Sequence, residues 1–138
     1  MSSTDSKKVM TGEALTLTWP EPDIALVTMI RDREMNTLSL ELVHELDVAL
    51  TLSVDGAARA LIITGKGRAF CAGAHLSYFT QEVDARIGSG PFALRDRYLQ
   101  PIAALYDRIE TMPIPVIAAI NGLPSAVAAK CRWPATSV

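Results

Sequence analysis

The sequence is poor in cysteine, in net charge and in long apolar runs. Its 138 residues include two cysteines, Cys71 and Cys131, which excludes a disulfide framework and favours a reducing, cytoplasmic setting. A formal net charge of -2 gives no electrostatic reason to expect nucleic acid or an anionic membrane as a partner. The longest apolar stretch, residues 114–120, contains Pro115 and is too short to cross a bilayer.

What remains is the composition of a globular domain, with 49% apolar and 20% charged residues. Residues 14–19 alternate apolar and polar side chains, which predicts a strand, and residues 24–30 predict a second strand in a hairpin with it. Ser39 is a candidate N-cap for a helix that ends at Gly56. The apolar, β-branched run 60–64 predicts a strand buried on both faces. This order favours a crossover and a partly parallel sheet, hence an α/β fold.

Two further helices and a strand are predicted after residue 75. Residues 76–87 are predicted as a short helix, and the three- to four-residue spacing of apolar side chains over 94–109 predicts a longer amphipathic helix. Pro101 should kink that helix unless a new one begins there. Residues 116–120 predict another buried strand, which ends at Asn121-Gly122.

Two loops, 65–75 and the segment from Asn121 onward, follow predicted strands, where function collects in α/β sheets. The first is rich in glycine and alanine, so its backbone amides could bind a phosphate or a developing oxyanion. The alternative is a tight connection that needs small residues only for packing. Basic residues flank the loops, and they could either contact phosphates or form a solvated rim without function: Arg31, Arg33, Lys66 and Arg68.

Cys71 and His75 invite a second interpretation, that of a nucleophile and its base. Gly73 between them argues against a shared helical face, and a small packed cysteine is the favoured account. A metal site built from Cys71, His75, His44 and Cys131 lacks the usual paired-ligand spacings.

Three segments carry motifs of one family. They are the strand at 24–30 with Arg31-Asp-Arg-Glu-Met-Asn-Thr-Leu-Ser39, then Leu61-Ile-Ile-Thr-Gly65 leading into Ala69-Phe-Cys-Ala-Gly-Ala74, and finally Met112-Pro-Ile-Pro-Val-Ile-Ala-Ala-Ile-Asn-Gly122. In this order and spacing they resemble the N-terminal part of the enoyl-CoA hydratase/isomerase (crotonase) superfamily.

The resemblance implies a crotonase-like α/β fold, a spiral of ββα units that is truncated here, and an acyl-CoA thioester as substrate. It implies that the Ala74 amide is one of two N–H groups that grip the thioester oxygen, and that the Ala72 carbonyl meets the adenine amino group. Gly73 lies between them in the same substrate-binding loop, and Arg33 matches a basic position near the coenzyme A phosphates. No metal is implied, and no cofactor beyond the coenzyme A of the substrate. His75 stands where the motif commonly has an acid.

After Gly122 the sequence departs from the family, which continues with a glycine run for the second oxyanion amide and then with catalytic acids. Residues 123–138 contain no glycine, and no carboxylate side chain follows Glu110. We therefore expect a loose leader over 1–12, a partial crotonase-like domain over 13–122 and a non-family tail over 123–138. The later acids and the C-terminal helices of trimer assembly are expected to be absent.

The tail is compatible with a shifted reading frame. Codons for residues 123–138 can be chosen so that the same bases, read from the third base of the Leu123 codon, encode Ala-Ile-Gly-Gly-Gly-Cys-Lys-Met-Ser-Leu-Ala-Cys-Asp-Ile-Arg. That is the continuation the family shows. The hypothesis is a frameshift just after Gly122, in the gene or in its reading, which sequencing of the locus tests.

Two functions are therefore expected as alternatives. The first is an enoyl-CoA hydratase/isomerase-type protein that stabilises an enolate in an oxyanion hole, with catalysis impaired by truncation. The second is a non-enzymatic acyl-CoA-binding or unstable remnant of such an enzyme. Full-length relatives form trimers or hexamers, an assembly not expected of this chain.

Overall fold

The computed structural model describes residues 7–80, 84–124 and 136–137. The described strands are β1 (Met10–Thr11), β2 (Leu15–Glu21), β3 (Ile24–Met29), β4 (Ala60–Gly65), β5 (Ala69–Cys71), β6 (Val116–Ala118), β7 (Leu123–Pro124) and β8 (Thr136–Ser137). The α-helices are α1 (Leu40–Asp55) and α2 (Gln100–Glu110).

Within the described ranges, the strands form a main sheet in the order β1-β2-β3-β4-β6-β8 and a small sheet of β5 and β7. The hairpin of β2 and β3 is antiparallel, whereas β3, β4, β6 and β8 run parallel. Ile24 lies opposite Ala60, and Met29 lies opposite Gly65. The predicted hairpin and partly parallel sheet are thus confirmed, and β3 and β4 end side by side.

Helix α1 begins where the sequence predicts. The Ser39 side chain accepts a hydrogen bond from the Leu42 N–H, which satisfies one unpaired donor of the first turn. The helix ends at Gly56. Its predicted apolar face is buried against the sheet: Leu42, Val43, Leu46, Ala49 and Leu50.

Strand β4 differs from the expectation of burial on both faces. Leu61, Ile63 and Gly65 are buried, but the alternate residues Ala60 and Ile62 are only half-buried. The buried side faces the core with α1 and α2, whereas the other side is only partly covered by described residues. A continuous apolar run therefore predicts a strand, but it does not predict whether other residues pack on the second face of that strand.

Glu45 of α1 ties the N-terminal strands to the helix. Its carboxylate is buried and accepts hydrogen bonds from the backbone N–H groups of Glu13 (2.7 Å), Ala14 (2.8 Å) and Leu15 (3.0 Å). A Cβ atom at Gly12 would lie 2.5 Å from this carboxylate. A glycine at position 12 is therefore what lets the chain pass so close to the buried charge.

The prediction of a helix over residues 76–87 is wrong for those of its residues that the structure describes. A 3₁₀ turn covers Leu76–Phe79, residues 85–87 form a turn, and residues 81–83 lie outside the described residues. The Asp84 side chain accepts a hydrogen bond from the Arg86 N–H (2.9 Å). This local bond offers the backbone an alternative to the helix.

At Pro101, where the sequence predicts a kink or the start of a new helix, a π-helical turn over Arg95–Leu99 is followed directly by α2, with the proline in its first turn. The Gln100 N–H donates to the Arg95 carbonyl, five residues back. Proline has no N–H, and its ring clashes with the carbonyl four residues earlier, so a wider turn relieves the helix at this point.

The two ends of the chain give mixed outcomes. Residues 1–6 of the predicted loose leader lie outside the described residues. Met10–Thr11, also inside that leader, form β1 and pair with β2. They do so because the chain turns back at Gly12, whose N–H donates to the Leu15 carbonyl (2.9 Å). Of the tail, the described residues are those of β7 and β8. In the part of the chain that is described, no helix has the length and apolar character needed to span a membrane.

Replacing the buried carboxylate should destabilise the fold. We expect Glu45→Gln to lower the free energy of unfolding by about 2–3 kcal/mol, because three backbone donors lose a charged acceptor. Urea denaturation measures the change. Glu21→Gln, at the exposed end of β2, is the matched control and should stay within about 0.5 kcal/mol. Equal effects of the two substitutions would contradict this role of Glu45.

Candidate active site at the strand ends

The predicted loop at 72–75 lies beside the segment that follows β3. The Ala72 N–H donates to the Met35 carbonyl (2.9 Å), and the Leu38 N–H donates to the Gly73 carbonyl (2.8 Å). Leu38 and Ala74 form a parallel bridge. Two of the motifs singled out from the sequence are therefore in contact through their backbones.

The segment before Leu38 makes a tight turn. Met35 and Asn36 have φ angles of 57° and 52°, a region that non-glycine residues seldom adopt and asparagine tolerates best. The buried Asn36 side chain donates to the carbonyls of Lys66 and Ala69, both at 3.1 Å. Its Oδ1 has no hydrogen-bond partner among the described residues. Asn36 thereby holds the start of the glycine-rich loop.

Asn121 holds the same loop from the end of β6. The Gly65 N–H donates to Asn121 Oδ1 (3.2 Å), and Asn121 Nδ2 donates to the Gly67 carbonyl (2.8 Å). A Cβ atom at Gly122 would collide with the Arg68 carbonyl, so the chain passes the loop at a distance only glycine permits. The two loops that follow the predicted strands are therefore in contact.

Gly73 supplies a conformation that the loop requires. Its φ is +100°, which side-chain-bearing residues rarely adopt. The turn lets Gly73 present its carbonyl to Leu38. Because a trans peptide is planar, the N–H of Ala74 then points away from Leu38.

The four amides of residues 72–75 differ in their partners. Ala72 donates to Met35, the Gly73 N–H interacts with the Cys71 thiol, and the His75 N–H donates to the Tyr98 hydroxyl (2.8 Å). Within the described ranges, the Ala74 N–H donates to no acceptor. A half-buried backbone donor is thus left available at the position that the resemblance selects.

The side chains of Cys71 and His75 have separate partners. Cys71 is buried, and burial raises the pKa of its thiol, an effect that the Gly73 N–H partly offsets. His75 Nδ1 is hydrogen-bonded to the Thr37 hydroxyl (2.7 Å) and its ring packs against Tyr78. A buried thiol with a raised pKa, and an imidazole bonded to Thr37, do not favour the nucleophile-and-base interpretation.

The other predicted contacts lie at the exposed rim of the loop. Ala72 is exposed and its carbonyl accepts no hydrogen bond from a described residue. Arg33 is exposed in a 3₁₀ turn, beside a surface groove of about 340 Å³ formed by residues 30–34. Met35, two residues after Arg33, accepts a hydrogen bond from the Ala72 N–H, so the turn that carries Arg33 is joined to the loop at Ala72.

An ion-pair network borders the site. Arg86 bonds the carboxylates of Glu41 and Asp84, and Arg31 lies 3.5 Å from Glu41. The hydrogen bonds that Asp84 accepts from Arg86 lower the pKa of Asp84 to about 2. Burial pushes the pKa of Glu41 up, but the hydrogen bond and charge of Arg86 and the charge of Arg31 outweigh it, so the pKa is lowered.

The metal interpretation gains nothing from the geometry. His44 is exposed on α1, and Cys131 lies outside the described residues. Within the described part of the chain, no three side chains of the ligand-forming types cluster as a metal site.

Together, the partly parallel sheet and its strand-end loops define an α/β protein with a candidate site in the loops at the carboxyl ends of its strands. A family model described as enoyl-CoA hydratase/isomerase matches residues 21–130. The chain belongs to this family, as its three motifs predict.

Curated relatives support the assignment over part of their length. A probable enoyl-CoA hydratase (echA6) of Mycobacterium bovis is 37% identical over 99 residues, which are 72% of this chain and 35% of the relative. A probable enoyl-CoA hydratase of Rhodobacter capsulatus is 36% identical over 118 residues, 83% of this chain and 41% of the relative. The chain thus spans less than half the length of these relatives.

Solved structures show the fold. The chain resembles an enoyl-CoA hydratase from Bacillus anthracis with a TM-score of 0.67 and 34% identity, over 80% of this chain and 40% of that one. The human enoyl-CoA hydratase domain-containing protein 3 gives a TM-score of 0.72 at 23% identity, over 86% and 44%. The predicted crotonase-like fold is confirmed, and the chain contains a part of it.

Several residues that shape the site were not selected from the sequence. Asn36, Thr37 and Tyr98 hold the loop by hydrogen bonds over 23 to 38 positions of sequence separation. Asn36 lies within the first family motif, and the preference of asparagine for left-handed backbone is a usable signal. Tyr98 had only its place on an apolar stripe, which predicts burial and says nothing of its hydroxyl.

Adding a side chain at Gly73 should strain the loop. We expect Gly73→Ala to cost about 1–2 kcal/mol of stability, because φ must stay positive or the bond to Leu38 must break. Urea denaturation and the exchange rate of the Leu38 amide measure the two effects. Ser77→Ala, on the exposed 3₁₀ turn, is the control and should change neither. Wild-type stability in Gly73→Ala would refute the argument.

The ion-pair network should make stability depend on pH in acid. Because the folded pKa of Asp84 is lowered from 3.8 to about 2, its contribution is complete above pH 4 and is lost as the pH falls to 2. In Arg86→Met the Asp84 pKa should return towards 3.8, and the stability curve should flatten across that window. Carboxyl NMR titration and acid denaturation check both. An unchanged Asp84 titration would contradict the pairing.

Proposed function

We propose that this chain forms the thioester-gripping part of an enoyl-CoA hydratase/isomerase-type site and binds acyl-CoA with the thioester oxygen on the Ala74 N–H. One observation carries the proposal. Of the four successive amides at 72–75, Ala74 alone lacks an acceptor among the described residues. Membership of the family and relatives named enoyl-CoA hydratases support the choice of ligand.

The chemistry of a thioester explains why one free amide matters. Removing or adding a proton beside the thioester carbonyl gives an enolate whose charge lies on the carbonyl oxygen. A preorganised N–H directed at that oxygen stabilises the charge, and losing one such donor costs about 3–4 kcal/mol of barrier. The Ala74 amide is preorganised because Leu38 fixes the carbonyl of the same peptide plane.

The rest of the ligand would lie along the rim. We infer that the Ala72 carbonyl accepts from the adenine amino group and that Arg33 meets the phosphates. Both residues are exposed, and two more exposed cations, Lys66 and Arg68, lie in the same loop as Ala72. Positive charge around an exposed carbonyl suits a phosphorylated adenosine. The proposal needs no cofactor beyond the coenzyme A of the substrate.

We expect little turnover from this chain. Hydration or double-bond movement needs carboxylates as general acid and base, and the sequence has no carboxylate side chain after Glu110 and no glycine after Gly122. The proposed role is therefore binding and polarisation of the thioester. The alternative, an acyl-CoA-binding or unstable remnant without catalysis, differs from impaired catalysis only in whether any enolate forms.

The Ala74 amide signal tests the proposal directly. In ¹⁵N-labelled protein, acetyl-CoA should shift the Ala74 amide proton downfield, because a new acceptor meets it. S-ethyl-CoA, a thioether without the carbonyl oxygen, is the matched ligand control and should not. The Ala72 amide, already bonded to Met35, should respond to neither. An Ala74 signal that ignores acetyl-CoA at saturation would refute the proposal.

A crotonyl-CoA hydration assay on the same protein separates the two alternatives. Binding with slow turnover above the uncatalysed rate supports an impaired enzyme. Binding without turnover supports the remnant, and full hydratase activity would overturn the expectation of impairment.

A further inference from the structure

The hydroxyl of Tyr98 lies between the two segments that form the site. Tyr98 is fully buried, and its hydroxyl donates to the Leu38 carbonyl (2.6 Å) while it accepts from the His75 N–H (2.8 Å). Its ring packs edge-on against Tyr78, at 4.9 Å between centroids. One hydroxyl thus connects the motif after β3 to the residue that follows Ala74.

The two peptide planes around Ala74 are fixed by different groups. The plane that contains the Gly73 carbonyl and the Ala74 N–H is held by the Leu38 N–H. The next plane, which contains the Ala74 carbonyl and the His75 N–H, is held by the Tyr98 hydroxyl. Since each peptide is rigid, these two bonds together restrict both backbone dihedrals of Ala74.

The hydroxyl can hold both partners only in its protonated form. A phenol donates one hydrogen bond and also accepts, whereas a phenolate cannot donate to the Leu38 carbonyl. Burial raises the pKa of Tyr98 above its usual value. The bridge is therefore intact throughout the neutral range.

The helix that carries Tyr98 is shaped to deliver it. Tyr98 lies in the π-helical turn of Arg95–Leu99, which Pro101 enforces. π-Helical turns within helices recur at functional sites. A π-helical turn contains one more residue than an α-helical turn, and this sets the direction in which the Tyr98 side chain leaves the helix.

We propose that Tyr98 is a positioning residue for acyl-CoA binding: its hydroxyl fixes the peptide after Ala74 and so aims the Ala74 N–H at the thioester oxygen. The inference rests on the proposed function of Ala74 and extends it to a residue outside the family motifs quoted above. Tyr98 itself does not touch the ligand.

Tyr98→Phe in the 138-residue chain tests the proposal by two measurements. Without ligand, hydrogen exchange of the His75 amide should quicken by at least about tenfold, because its acceptor is gone. With ligand, the ratio of the dissociation constants for S-ethyl-CoA and acetyl-CoA reports the carbonyl contact. We expect a ratio of about 3 to 10 in the wild type, a ratio near 1 in Tyr98→Phe, and an unchanged constant for S-ethyl-CoA.

Tyr78→Phe is the matched control. It removes a hydroxyl from the neighbouring ring. That hydroxyl accepts from the Leu40 N–H (3.1 Å) and, within the described residues, has no hydrogen bond to residues 73–75. It should change neither the His75 exchange rate nor the ratio. Equal effects of the two substitutions would indicate general loosening of the aromatic cluster and would overturn the proposal.

The remaining outcomes also decide. An unaltered His75 exchange rate in Tyr98→Phe overturns the positioning role, whatever the ligand does. If the wild-type ratio is 1, or if neither ligand binds, the proposed function of Ala74 is refuted and the inference with it. A His75 amide that exchanges slowly in the wild type would then mark Tyr98 as a structural residue only. If Tyr98→Phe does not fold, 4-aminophenylalanine at position 98, which keeps a donor, should fold and give an intermediate ratio, and a wild-type ratio there overturns the proposal.

Discussion

The N–H and the carbonyl of Leu38 are both hydrogen-bonded, one to the glycine-rich loop and the other to Tyr98, and the site depends on this double contact. Its N–H binds the Gly73 carbonyl and its carbonyl binds the Tyr98 hydroxyl. The next residue, Ser39, caps α1. One short segment therefore starts the main helix, orients the loop and receives the second helical region, so a shift of Leu38 would be felt in all three.

The sheet brings these partners together before any side chain acts. Because β3 and β4 are parallel and in register to their last residues, the chain leaves both strands at one edge. The segments after them must then share that edge, and Asn36 and Asn121 bind the loop from two sides. Among the described residues the Ala74 amide has no acceptor, because the bond from the Leu38 N–H to the Gly73 carbonyl turns this N–H away from Leu38.

The sequence predicts the elements whose cause is local or periodic. The cap at Ser39, the apolar face of α1 and the disturbance at Pro101 follow from residue chemistry within a few positions, and family motifs located the loop. Burial on the second face of β4 could not be predicted, because composition does not reveal what covers a strand. The failed helix after Leu76 depended on a side-chain bond of Asp84. The bridging hydroxyl of Tyr98 depends on contacts 23 and 60 positions away, which no spacing rule contains.

The π-helical turn makes the placement of the Tyr98 ring depend on Pro101 and on the length of the segment between them. Each residue advances an α-helix by about 100°, so deleting one residue from 95–99 would swing the ring away from the loop even though most of that segment is exposed. Replacing Pro101 by a helix-forming residue would permit an ordinary turn with the same result. Among relatives, the tyrosine, the proline and the length between them should therefore be gained and lost together, and a surface that looks tolerant of change is constrained in length.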